Sequence, residues 1–211
     1  MEELKALISD DMRKFFTLRT RAHLYLVNKW HNKIAKLSVV HGWPVDLALF
    51  NQERDDHDQG KWEDPEVTPY ILLTWRYEQR RRGGDLELPE SIKEAIHKAT
   101  FHHIKSHRHH PEFWDETSTL ETLNKNDRDK PSGVVVDGTK MPMTYVAAMV
   151  ADWMAMSEEL GGHPAKWAKD NIGVRWSFTD EQERLIYNII ERVWDQQNYV
   201  PTVTSGYLRR G

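Results

Sequence analysis

Apolar side chains recur along the first part of the chain at helical steps. Phe16, Ala22, Leu26, Trp30, Ile34 and Leu37 share one face of a helix predicted over about residues 13–37. Gly42 closes that run, and Trp43-Pro44 opens a shorter one through Phe50. Residues 51–63 form a polar stretch rich in Asp, Gln and Gly. A further helix begins at Pro69 and ends in Arg80-Arg81-Arg82-Gly83-Gly84, with cations where a helix C-terminus favours them and glycine as the stop. Pro89 marks a first helical turn, and residues 90–106 read as helix. Pro142 opens a strongly apolar helix through Leu160, closed by Gly161-Gly162, and residues 164–170 read as a short turn. Thr179 and Gln182 have capping-box spacing at the start of a last helix running to about Gln197.

Strand signals are confined to one place. Residues 115–141 are the least regular, and Pro131-Ser132-Gly133, Val134-Val135-Val136 and Asp137-Gly138 suit a small β-hairpin in the 131–141 region or an ordered loop. The expected fold class is therefore all-α: one helical domain over residues 1–200, with an extended tail at 201–211.

Composition narrows the chemistry. The 211 residues suffice for a core without covalent staples, and the absence of cysteine removes disulfides and thiolate metal sites. Any bound metal must use His, Asp and Glu. A net charge of −4 argues against a nucleic-acid partner, and the arginines at 80–82 are accounted for by the helix end. No apolar run approaches the roughly 18 residues that span a bilayer, so no membrane partner is expected and a cytoplasmic location is. The nine tryptophans, Trp62 and Trp114 among them, are assigned to packing, whereas six of the eleven histidines crowd between His97 and His110.

Three places put metal-ligand chemistry in the chain. His57 and Asp58 offer a neutral nitrogen and an anionic oxygen from adjacent positions, and both reach one ion only if the helix ends or kinks there; Gly60 is nearby. His23 lies mid-helix among Leu24, Leu26 and Val27, where a polar ring needs a partner. Asp152 is the only ionisable group between Tyr145 and Met156 in an apolar helix, and a charge there also needs one.

The order His23, His57-Asp58, Asp152 resembles the HD superfamily of metal-dependent phosphohydrolases, and Lys61 matches the HD-x-x-K variant of its motif. The resemblance covers about residues 13–160 and implies an HD-like helical bundle with those four residues as metal ligands. A closer likeness is to an uncharacterised family of small phage and bacterial HD-like proteins, whose His, spacer and His-His-Pro-x-x-Trp pattern reads here as His103 through His109-His110-Pro111 to Trp114. That likeness places the protein in the bacterial cytoplasm, or in the host's if phage-encoded.

His103, His107 and His110 would share one face of an unbroken helix, although Pro111 suggests fraying there. His103 with His109 or His110 suits a second metal, as extra histidines do in two-metal HD enzymes; substrate-phosphate binding and a solvated cationic patch are the rival roles. The resemblance implies a divalent ion (Mn, Co, Mg, Zn, Ni or Fe; one, or two), and a small nucleotide as substrate. In this reading the ion activates water, Asp58 takes its proton and Lys61 meets phosphate as a point charge. A di-iron oxygenase of the HD fold and a non-catalytic, metal-stabilised nucleotide-binding module are the alternatives. The 115–141 segment and the tail are candidates to dress the cleft or to pair subunits in a homo-oligomer.

Overall fold

The structure, a computed structural model, describes residues 2–84, 86–123 and 132–196. It is built from helices: α1 (Glu2–Ala6), α2 (Asp10–His41), α3 (Leu47–Asp56), α4 (Val67–Arg81), α5 (Glu90–Ser106), α6 (Pro111–Trp114), α7 (Met143–Leu160), α8 (Pro164–Asn171) and α9 (Asp180–Ile189). A 3-10 turn, Gln59–Trp62, follows α3, and a π-helical turn, Ile190–Asp195, continues α9. The all-α expectation holds. Among the described residues no helix is long and apolar enough to cross a membrane.

The local signals account for most boundaries. Ser9 accepts a hydrogen bond from the Met12 N–H at the start of α2, and Gly42 closes the helix at φ 64°. Thr179 and Gln182 form the expected capping box, and Gln182 Nε2 also donates to the carbonyl of Met141 at 2.7 Å, tying α9 to the approach to α7. The expected end of the last helix at Gln197 and the tail lie outside the described residues.

Four expectations need correction. The run through Phe50 continues as α3 to Asp56, because Asp46 caps it by accepting from the Ala48 and Leu49 N–H groups; much of the polar stretch is thus helix with an exposed face. Residues 164–171 are helical, with Pro164 in the first turn and His163 as cap. The helix from Pro89 ends at Ser106, so His103, His107 and His110 do not share an unbroken face; Pro111 begins α6 instead of fraying α5. Finally, strand β1 (Val136–Asp137) falls inside the 131–141 stretch, but its partner is β2 (Trp176–Ser177), paired in parallel. A hairpin needs an adjacent antiparallel strand; here the partner comes from beyond α8.

Helix α7 is the hub. Its residues 144–151 are all buried, and alanines at 147, 148, 151 and 155 let α2, α3 and α9 approach closely. Val27, Trp30 and Ile34 of α2 join this core. A second apolar cluster, built on Phe16, Ile71, Leu72, Ile92 and Ile96, holds α4 against the earlier part of α2 and α5 against α4. Burying a side chain such as Leu72 or Ile34 stabilises the fold by about 1.5–3 kcal/mol. His23 lies on α2 between Phe16 of one cluster and Val27 of the other. The polar site sits at that junction.

Candidate metal centre

Helix α3 stops where the chemistry begins. His57 takes an extended backbone (ψ 125°), and Asp58 is left-handed at φ 58°, the one non-glycine residue in that region among those described. Aspartate tolerates this conformation better than most residues. The break turns His57 and Asp58 inward, each only 1% exposed. Gly60 has a different duty from making the kink: a Cβ there would meet His107 Cε1 at 2.8 Å and Glu66 Oε1 at 3.0 Å. Its missing side chain lets the 3-10 turn lie against the histidine cluster.

Asp58 occupies the middle of the site. Its Oδ2 is 3.7 Å from His23 Nε2 and 3.7 Å from His57 Nε2. Its Oδ1 is 3.1 Å from His103 Nε2 and 3.9 Å from His109 Nε2. Lys61 donates to Oδ2 at 2.5 Å. On the Oδ2 side, Asp152 Oδ1 from α7 stands 3.1 Å from His23 Nε2 and 3.8 Å from His57 Nε2. On the Oδ1 side, the His110 ring lies 5.0 Å from that of His103 and 4.4 Å from that of His109. Of four donor groups among the described residues whose ligand atoms lie within 4.8 Å of one another, His23/His57/Asp152 and His103/His109/His110 flank Asp58, and Glu53/His57/His109 and Glu66/His103/His107 overlap them. Donors that share an ion at about 2.0–2.2 Å stand roughly 3–3.5 Å apart, so the two flanking groups are close to ligating dimensions.

The donors are oriented from behind. His103 Nδ1 faces Glu66 Oε2 at 2.9 Å, and His109 Nδ1 faces Glu53 Oε1 at 2.9 Å, which leaves each Nε2 turned toward Asp58. Carboxylates behind imidazoles are the usual support of metal-binding histidines. His102 adds a contact to Glu66 Oε1 at 2.8 Å, and His107 Nδ1 bonds to the His103 carbonyl at 2.9 Å. On α2, His23 Nδ1 faces Glu159 Oε2 at 3.4 Å.

Electrostatics favour a cation. Burial opposes ionisation of Asp58, but Lys61, His57 and His103 outweigh it and hold the carboxyl well below the ordinary range. Asp152 is held low in the same way, chiefly by His23. Burial keeps His109 and His110 neutral by pushing their pKa well below the usual value. His23 is the opposite: burial disfavours its charge, yet Asp152 and Glu159 raise it to about 9. Both ring nitrogens of His57 and Nε2 of His110 are buried without a hydrogen-bond partner. Buried polar atoms normally find partners. The partnerless nitrogens of His57 and His110 beside the ionised carboxylates of Asp58 and Asp152 are what a divalent ion would satisfy.

The residues expected as ligands thus converge: His23, His57 and Asp152 in one group, His103, His109 and His110 in the other, Asp58 between them and Lys61 on its carboxylate. Lys61 reaches Asp58 rather than standing free. Sequence reading missed Glu53 and Glu66, which are buried yet sit in polar stretches; only the position of Glu53 one turn before His57 on α3 was a signal. It also missed His31, buried with neither ring nitrogen hydrogen-bonded and stacked on Phe50 at 4.4 Å.

The chain matches a family of unknown function, DUF5662, over residues 12–194, and it belongs to that family. No curated protein and no solved structure matches it.

Proposed function

We propose that this DUF5662 member is a metal-dependent phosphohydrolase of the HD type, acting on a nucleotide or a similar small phosphate ester or anhydride. The observation that carries the reading is the Asp58 carboxylate, with one oxygen toward His23 and His57 and the other toward His103 and His109. His23, His57, Asp58 and Asp152 would hold one divalent ion, and Asp58, His103, His109 and His110 a second. Such ions supply Lewis acidity toward phosphorus and lower the pKa of bound water.

The chain's own residues do the rest. Glu53 and Glu66 fix the rings of His109 and His103, so that their Nε2 atoms need no reorganisation on ligand binding. Asp58 lies between the two donor groups, and in this reading it takes the proton of an attacking water. Lys61, which donates to Asp58, would stand beside the site to meet a phosphate oxygen. Neutral His109 and His110 add donors without repelling a cation.

The test is elemental analysis and phosphate release over common nucleotides with added Mn²⁺, Co²⁺ or Mg²⁺, wild type beside Asp58→Asn. Asparagine tolerates the left-handed backbone, so the variant removes charge and little else. Metal near one or two equivalents, lost in Asp58→Asn together with turnover by on the order of 10³-fold, is the expected result. Full activity in the variant ends the reading. With a second ion at the histidine-rich group, the two groups together would also suit a pair of irons, the oxygenase alternative; iron retained after aerobic purification, with oxygen uptake and no phosphate release, would decide for it. Tight nucleotide binding without any product would decide for a binding module.

A further inference from the structure

The donor groups lie in the wall of a cavity of about 290 Å³ that extends well beyond them along α4. Its charge is unlike that of the chain. The protein carries a net −4, yet Arg19, Lys61, Arg76, Arg80, Lys93 and Arg175 all line this one cavity. Its acids are Asp58, Asp152 and Glu112, two of them metal-ligand candidates. A concave wall of one sign concentrates ligands of the other.

Most of these cations are already engaged. Arg19 Nε pairs with Glu159 at 2.9 Å, Lys61 with Asp58 at 2.5 Å and Lys93 with Glu90 at 3.4 Å. Arg175 lies over the Trp167 ring at 5.9 Å, and Arg80 also has a partner. Arg76 and Arg175 are both partly buried, and in each the enclosed Nε has no hydrogen bond. Arg175 has the Trp167 ring beside it, whereas Arg76 stands on α4, the helix that lines the length of the cavity. A half-buried guanidinium is costly unless something shares its charge.

Its place on α4 says what that something is. Tyr70, one end of the lining face, packs on His103 with ring centroids 5.6 Å apart and has Lys61 Nζ 5.5 Å over its ring. Arg76 is six residues further along the same helix, about 9 Å up the axis, and lines the same cavity. A single phosphate at the donor groups would leave it unused. We propose that Arg76 is a second anion subsite, which takes a further phosphate of an oligophosphate ligand whose first phosphate sits at the Asp58 centre. The inference deepens the phosphohydrolase reading and rests on it for the position of the first phosphate. The planar fork of arginine suits two phosphate oxygens at once, which a lysine ammonium does not reproduce.

Calorimetric titration with tripolyphosphate and with orthophosphate, in excess free Mg²⁺ so that chelation is equal in every arm, tests the assignment in the metal-loaded protein. Wild type should bind tripolyphosphate much more tightly than orthophosphate. Arg76→Gln should weaken tripolyphosphate about 10- to 100-fold and change orthophosphate by less than about twofold, with metal content unaltered. Arg76→Lys, which preserves charge and length if glutamine disturbs α4, should fall between. Equal tripolyphosphate affinity in wild type and Arg76→Gln overturns the subsite. Arg76-dependent binding with no phosphate released from any nucleotide would retain the subsite and overturn hydrolysis, so the two failures are distinct.

Discussion

The two halves of the site are made in different ways. On the Oδ2 side of Asp58, His23 and Asp152 project from the long helices α2 and α7, whose packing forms the main core. On the Oδ1 side, only His103 is in a helix; His109 and His110 come from the four-residue turn between α5 and α6. The first half is positioned by apolar burial. The second is positioned by polar contacts, Glu66 behind His103 and Glu53 behind His109. If the proposed ions bind, one position should be sturdy and the other yielding, with Asp58 between them.

The sharpest way to break the comparison is to remove one donor from each half. His23→Ala takes a ligand from the half nearest Asp152 and should lower both metal affinity and turnover, the latter by on the order of 10³-fold. His110→Ala should cost only the second equivalent of metal and leave the first bound. Metal counting by elemental analysis after dialysis reads both. Loss of all metal in His110→Ala, with His23→Ala unaffected, would reverse the ranking of the halves.

A subtler change acts from behind the donors. Glu66 is fully buried, and its two oxygens meet His103 at 2.9 Å and His102 at 2.8 Å. Glu66→Gln keeps the shape but removes the charge that fixes the His103 ring. Such a loss costs about 10- to 100-fold in metal affinity or activity. The effect should fall on the second equivalent alone, read as a shift in its binding isotherm with the first unchanged. Equal weakening of both equivalents would mean that the halves are not separable.

The same contrast explains what could be read from the sequence. His23 and Asp152 were legible because each interrupts an apolar helical pattern, and a polar residue on a buried face has to be explained. His57 and Asp58 were legible as a pair, but the left-handed backbone that makes the pair converge is not written in residue type; Gly60 suggested a kink and turned out to serve close packing. In the second half, periodicity misled. His103, His107 and His110 have helical spacing, yet α5 ends at Ser106, and His109 rather than His107 faces Asp58. Glu53 and Glu66 gave little signal, since a glutamate in a polar stretch reads as solvated until tertiary packing buries it. The parallel pairing of β1 with β2 joins residues 40 positions apart, beyond any local pattern.

The smallest expected effect concerns the far support of the turn-built half. Asp115 follows α6, and its carboxylate accepts from the Thr117 N–H at 2.8 Å, Thr117 Oγ1 at 2.6 Å, Ser118 Oγ at 2.9 Å and the Asp137 N–H at 3.2 Å. It thereby staples the end of α6 to β1. Burial alone would raise its pKa, but these hydrogen bonds hold it down at about 2. A folded-state pKa below the unfolded one gives stability that is complete above about pH 4 and lost as pH falls through about 2. The contribution is on the order of 1–2 kcal/mol. Asp115→Asn should therefore lower the unfolding free energy from urea titration at pH 7 by that amount and flatten the acid limb of the stability curve between about pH 4 and 2. Because α6 begins one residue after His110, the variant should also loosen the second metal equivalent before the first. An acid limb as steep in Asp115→Asn as in wild type would show that other carboxylates carry it, and that the turn is held by the histidine cluster itself.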